Sequence, residues 1–127
     1  MQKPAVLIID DDPSHLRIYG WIVQHAGFES LTTLATVGDL VLPCAQVDLM
    51  LLDYHLAGNI KATSVAKLVR ERYPGAPILV LSDAMMMPDD IGPHVDGFIR
   101  KGDPARLVET VARQLGQTPD GECLPKG

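Results

Sequence analysis

Residues 5–17 read AVLIIDDDPSHLR, and this stretch decides the fold. Its first five residues form an unbroken apolar run with no polar alternation, the pattern of a strand covered on both faces, as in a parallel sheet. Asp10, Asp11 and Asp12 end the run. Pro13 follows in a position suited to the first turn of a helix, with Asp12 before it as N-cap. Leu16, Tyr19, Ile22, Val23 and Ala26 then share one helical face until Gly27 stops it. The segment therefore reads as a buried strand passing through an acidic turn into an amphipathic helix.

Working outward, similar apolar runs occur at residues 48–52, 77–81 and 97–99, with a weaker strand at 28–34. A helix is predicted over residues 60–73, placing Val65, Leu68 and Val69 on the sheet before Pro74 and Gly75 end it. The last helix repeats the grammar of the first: Asp103 caps it, Pro104 opens it, Leu107, Val108, Val111 and Leu115 face inward, and Gly116 stops it. A short helix is expected within residues 37–44. Between residues 85 and 95, Pro88, Gly92 and Pro93 leave room for one or two irregular turns only, with Met85, Met86 and Met87 in a partly buried turn. Strand and helix alternate five times, and right-handed crossovers make this an α/β fold, a doubly wound five-stranded parallel sheet with helices on both faces and a short or irregular fourth helix.

At 127 residues and 46% hydrophobic content the chain suits one domain, expected over residues 1–116. Residues 117–127, with Pro119, Gly121 and Pro125, read as a loosely held tail. The net charge is −5 and the 11 Lys and Arg are dispersed, which argues against direct binding of nucleic acid. No signal-peptide core or membrane-length apolar run is present, so a cytoplasmic protein without membrane insertion is expected. Cys44 and Cys123 lack the spacing of a disulfide framework or zinc site and read as reduced thiols. His15, His25, His55 and His94 stand at no metal-ligand spacing from one another and read as surface or partly buried residues.

In open parallel sheets, ligands bind beyond the carboxyl ends of the strands. The reactive residues gather there: Asp10, Asp11 and Asp12 end the first strand, Asp53 the third and Ser82 the fourth, while Lys101 follows the fifth. Two carboxylates about 4 Å apart repel by roughly 4 kcal/mol at an effective dielectric of 20. A cluster containing Asp11 and Asp53 therefore calls for a cation, and an oxygen-rich site suits Mg²⁺ or Mn²⁺ better than zinc. The plainer alternative is that the aspartates only cap the first helix. If Asp53 carried a phosphoryl group, its added negative charge would need a fixed cation and a hydroxyl donor, which Lys101 and Ser82 supply. Alone, Lys101 could equally be a solvated loop lysine and Ser82 a strand-end serine bonded to backbone.

The stretches AVLIIDDDPSHLR, DLMLLDYHLAG (residues 48–58), PILVLS (77–82) and DGFIRKG (96–102) together resemble the receiver domain of two-component response regulators, of the chemotaxis-regulator kind. The similarity covers about residues 4–116. It implies a flavodoxin-like sheet of order 2-1-3-4-5, with Asp53 as phosphoacceptor and metal ligand. Asp11 would bind Mg²⁺ directly, Asp10 through water, and the backbone carbonyl of His55 would complete the protein ligands. Ser82 and Lys101 become the switch hydroxyl and the phosphate-binding lysine, and Phe98 matches the family's rotating aromatic, or is a plain core phenylalanine. The His55 side chain would influence how water reaches the acyl phosphate. A sensor histidine kinase or phosphotransfer protein is the implied donor, with an output partner the sequence does not name. No enzyme activity is expected beyond self-phosphotransfer and autodephosphorylation.

Some residues depart from the family pattern. Asp83 follows Ser82 where Ala or Gly is usual, Ala57 stands where Pro is commoner, Gly102 replaces a frequent Pro, and residues 83–96 are short and rich in helix breakers. These departures motivate a second reading, a degenerate receiver that docks partners without being phosphorylated. A third is a haloacid-dehalogenase-type phosphatase, since Asp10-x-Asp12 after an apolar strand resembles that nucleophile motif, with Asp10 as nucleophile and Asp12 as acid. Such enzymes need a further acidic pair at a later strand end, whereas Asp89 and Asp90 follow Pro88 in a loop.

Overall fold

A computed structural model describes residues 3–36, 40–43, 45–56 and 60–116. Strand β1 (Ala5–Asp10) leads into helix α1 (Pro13–His25), followed by β2 (Glu29–Leu34), β3 (Leu49–Asp53), α2 (Ala62–Arg72), β4 (Ile78–Ser82), β5 (Gly97–Arg100) and α3 (Pro104–Gln114). All four strand pairings are parallel, and the sheet order is β2-β1-β3-β4-β5. This is the doubly wound sheet expected, with each strand boundary within one residue of its apolar run.

The apolar runs lie in the centre of the sheet because both of its faces are covered. Every residue of β1, β3 and β4 is buried. On one face Val6, Ile8, Leu49, Leu51, Leu79 and Leu81 pack against α1 and α3 through Leu16, Val23, Leu107 and Val111. On the other, Leu7, Ile9, Met50, Leu52, Ile78 and Val80 meet Ala62, Val65, Ala66 and Val69 of α2. Fully burying one such aliphatic side chain contributes roughly 1.5–3 kcal/mol, so the two layers dominate the stability of the fold. Helix starts follow the local chemistry foreseen: Asp12 accepts from the Ser14 amide at 2.9 Å, and Asp103 from the Arg106 amide at 3.0 Å. Gly27 and Gly116 adopt φ of 97° and 70°, the left-handed turn that ends a helix most readily at glycine.

Three expectations need correction. Leu68 is 43% exposed, and the small residues Ala62 and Ala66 take the sheet-facing positions beside Val65 and Val69. Of the short helix expected within residues 37–44, residues 40–43 run without helix, Leu40 and Leu42 packing on the α2 core while Tyr73 donates to the Pro43 carbonyl at 2.6 Å; residues 37–39 and 44 lie outside those described. In the methionine run only Met87 packs on the core, and Met85 and Met86 are exposed. Residues 83–96 hold one turn of 3₁₀ helix, Gly92–His94, as the breakers predict. The tail, Cys44 and Cys123 also fall outside the described residues.

Gly97 opens β5 because nothing larger fits: a Cβ there would lie 2.7 Å from Leu79 Cδ2, and Leu79 is fully buried with little freedom to move. Gly97→Val should therefore lower the urea unfolding free energy by about 1–3 kcal/mol. Combining it with Leu79→Ala should be less damaging than the sum of the two single changes.

Candidate active site at the strand tips

The register of β1 on β3 pairs Ile9 with Leu52, so the next residues, Asp10 and Asp53, end neighbouring strands side by side. Both are buried, at 0% and 2% exposure. The backbone ties the remaining tips to them: the Tyr54 amide donates to the Leu81 carbonyl and the Lys101 amide to the Ser82 carbonyl, each at 2.9 Å. Lys101 reaches back over the sheet end and places its Nζ 2.7 Å from Asp53 Oδ1. The His55 amide also approaches Oδ1, at 3.3 Å, so Asp53 Oδ2 makes neither contact.

Asp10 is held from two sides. Its Oδ1 accepts from the Asp12 amide at 3.0 Å, and its Oδ2 lies 3.3 Å from His15 Nδ1. Burial, reinforced by the Asp53 charge and a side-chain hydrogen bond with Asp11, pushes the Asp10 carboxyl up to about 6 against the opposing pull of the Asp12 amide and His15. Burial disfavours the charged form of Lys101 too, but the hydrogen bond and charge of Asp53 outweigh it and raise the ammonium above its ordinary range. The tips thus carry two carboxylates and one ammonium, an arrangement short of positive charge.

Of the residues predicted for the site, the structure brings Asp10, Asp53, Ser82 and Lys101 to adjoining strand ends. Ser82 is fully buried, and its Oγ accepts from the Ala84 amide at 3.1 Å. Asp11 is only half-buried, and the group of side chains whose ligand atoms lie within 4.8 Å of one another is, among the described residues, Asp10, His15 and Asp53. Histidine spacing gave no hint of His15, because the approach arises where the strand tip turns into α1. His55 lies at the mouth of the site, with its ring exposed against Tyr54. Phe98 is partly buried and packs on the α2 side of the core. Asp12, the acid required by a phosphatase reading, is instead occupied as the α1 cap, accepting from the amide and the hydroxyl of Ser14.

A donor set of buried carboxylates with an elevated Asp10 fits a divalent cation, since such an ion offsets the burial and the Asp53 charge that raise the Asp10 carboxyl. Asp10, Asp53 and the neighbouring Asp11 are the residues that would hold it.

Comparison with known proteins agrees with this arrangement. A model of the response regulator receiver domain matches residues 6–112. The chain belongs to the response regulator receiver domain family. Its fold is that of the Vibrio cholerae chemotaxis protein CheY4, with a TM-score of 0.74 at 23% identity over 89% of this chain and 99% of that one. The Thermotoga maritima response regulator TrrA, solved in complex with Mg²⁺-BeF, gives a TM-score of 0.72 at 21% identity over 88% and 99% of the two chains. The same regulator, solved in complex with the histidine kinase ThkA, gives 0.71 at 22% identity over 88% and 98%. Among curated proteins none matches by sequence at a significant level. No helix among the described residues is long and apolar enough to cross a membrane.

The raised Asp10 carboxyl has a consequence for stability. Its contribution is fully present below the unfolded value near 4 and is lost as pH rises through about 6, so the metal-free protein carries an uncompensated charge at neutral pH. Asp10→Asn keeps an oxygen for the Asp12 amide and removes that charge. It should stabilise the metal-free protein at pH 7.5 by about 1–3 kcal/mol in urea unfolding, with the gain shrinking towards pH 4.

Proposed function

We propose that this receiver domain accepts a phosphoryl group on Asp53 from a sensor histidine kinase or phosphotransfer protein, with Mg²⁺ or Mn²⁺ bound at the strand tips. The observation that carries the reading is the 2.7 Å contact between Lys101 Nζ and Asp53 Oδ1, beside the second buried carboxylate of Asp10. An Asp53 oxygen attacks phosphorus as the bond from phosphorus to the donor atom breaks, and the donor leaves with that electron pair. Family membership and the kinase complex of the Thermotoga regulator support a phosphohistidine as donor.

This chain's residues have defined tasks in that transfer. Asp53 is the nucleophile, presented at a strand end too rigid to wander. Lys101, already on Oδ1, is placed to pass its ammonium to an incoming phosphoryl oxygen, where fixed positive charge counts most. The Ser82 hydroxyl accepts from Ala84 and keeps its own proton to donate. The cation, when bound, supplies further neutralisation of phosphoryl charge. The protein then acts on no substrate other than its own phosphoryl group, and signals by a shift between two conformations. A cytoplasmic setting follows from that role.

Incubating the protein with acetyl phosphate and Mg²⁺ should add one phosphoryl mass, absent in Asp53→Asn. An unlabelled wild-type protein would instead point to a docking-only receiver. Lys101→Met should slow labelling by about 100-fold, as loss of a transition-state donor does, measured by the time course of the same mass shift.

A further inference from the structure

The mouth of the site contains a nitrogen donor that a phosphate-binding acidic pocket does not need. His15 Nδ1 lies 3.3 Å from Asp10 Oδ2, and the ligand atoms of Asp10, His15 and Asp53 all fall within 4.8 Å of one another. An ion with ligand bonds of about 2.1 Å separates adjacent octahedral ligands by about 3 Å and opposite ones by about 4.2 Å. The three atoms are therefore near the spacing of one coordination sphere before any ion arrives.

The ring is also held as a ligand is held. Its far nitrogen, Nε2, lies 3.6 Å from Asp12 Oδ2, while Asp12 Oδ1 accepts from the Ser14 amide and hydroxyl at 2.9 and 2.7 Å. Tyr19 meets the ring edge-on at 6.2 Å between centroids. With its proton on Nε2, on the side of the anchored Asp12 carboxylate, the ring would offer the Nδ1 lone pair to an ion placed between Asp10 and Asp53. A carboxylate behind a histidine fixes its tautomer and orientation and raises its basicity towards a metal. Asp12 thus serves as more than a helix cap.

We propose that His15 is an inner-sphere ligand of the receiver's cation, oriented by Asp12, and that it tunes the site towards first-row transition ions such as Co²⁺, Fe²⁺ and Zn²⁺ at the expense of Mg²⁺. Mg²⁺ demands hard oxygen ligands, whereas imidazole suits the later first-row ions, so one nitrogen among carboxylates changes the order of preference. The inference rests on the phosphoacceptor reading for the position of the cation, between Asp10 and Asp53, and adds His15 to the aspartates that would hold it.

The test is calorimetric titration of the wild-type protein, His15→Ala, His15→Gln and Asp53→Asn with CoCl₂ and with MgCl₂, alongside proton NMR of the Co²⁺-loaded samples. The His15 side chain is 42% exposed, so its replacement leaves the core intact, and thermal melts of both variants verify this. The wild type should bind Co²⁺ more tightly than Mg²⁺ and show an exchangeable imidazole N–H shifted far outside the diamagnetic range. Both His15 variants should lose that signal and at least about tenfold in Co²⁺ affinity, with less than about threefold change for Mg²⁺. Asp12→Asn should weaken Co²⁺ by about tenfold, within the range seen when a group behind a ligand is removed. Equal effects on both ions, or none, would overturn the role of His15 while leaving the receiver reading intact, provided Asp53→Asn still abolishes labelling by acetyl phosphate. A wild-type protein that binds neither ion would overturn both.

Discussion

The structure turns on two buried carboxylates that stand on adjacent strand ends with a single ammonium between them and charge balance. Nothing in hydrophobic burial asks for Asp10 and Asp53 to be there; neighbouring strands lie about 4.8 Å apart, and two charges at such a distance in a poorly solvated place repel. The sheet nevertheless fixes them, because the apolar runs of β1 and β3 are buried on both faces and a slip of one residue would send every side chain into the opposite, differently shaped layer. The packing of Leu7, Ile9, Met50 and Leu52 against α2 is thus what compels the acids to meet. Lys101 relieves one of them by direct contact, and burial, with the repulsion from Asp53 that is left, raises the Asp10 carboxyl.

A site assembled in this way is stable enough to persist and poor enough in positive charge to take more. A bound cation would answer that imbalance by adding positive charge beside Asp10, whereas a phosphoryl group on Asp53 would deepen it and call on the cation and the Lys101 ammonium together. Functional sites are where local rules are broken and the remaining structure sustains the violation. Here the support is visible: Leu7, Ile8 and Ile9 of β1 and Leu49, Met50, Leu51 and Leu52 of β3 are fully buried, and no buried side-chain nitrogen or oxygen among the described residues lacks a partner.

Most of the sheet and much of the site were legible in the sequence because their signals are local. Apolar runs without alternation marked the strands, Asp-Pro pairs marked the starts of α1 and α3, and the tip residues Asp53, Ser82 and Lys101 followed from the strand ends. What escaped has no local signature. Leu68 and Ala66 both satisfy a helical stripe, and only the closeness of α2 to the sheet selects the smaller residue. Residues 40–43 run without helix, because Leu40 and Leu42 pack on the α2 core instead. His15 stands five residues from Asp10, a separation that matches neither strand nor helix periodicity. The two meet because the capped turn at Asp12 swings the first turn of α1 over the strand tip.

The irregular segment 83–96 shows how a fold keeps its site when a helix is missing. Pro88, Gly92 and Pro93 prevent a continuous helix there, yet the segment does not hang free. Ile91 is fully buried in the α2-side core, with Met87 and Val95 packed beside it. At its end Asp96 accepts from the Ile78 amide at 2.8 Å and from Arg70 at 2.7 Å, joining β4, α2 and β5. Near its middle Asp90 accepts from the Tyr54 hydroxyl at 2.7 Å, and Tyr54 is the residue directly after Asp53. The backbone that carries the candidate phosphoacceptor is therefore tied to this surface segment through one side chain. A helix would have supplied stiffness through its own hydrogen bonds; this chain obtains it from one buried isoleucine and two anchored carboxylates, which leaves the stretch between them shaped by the site it overlies.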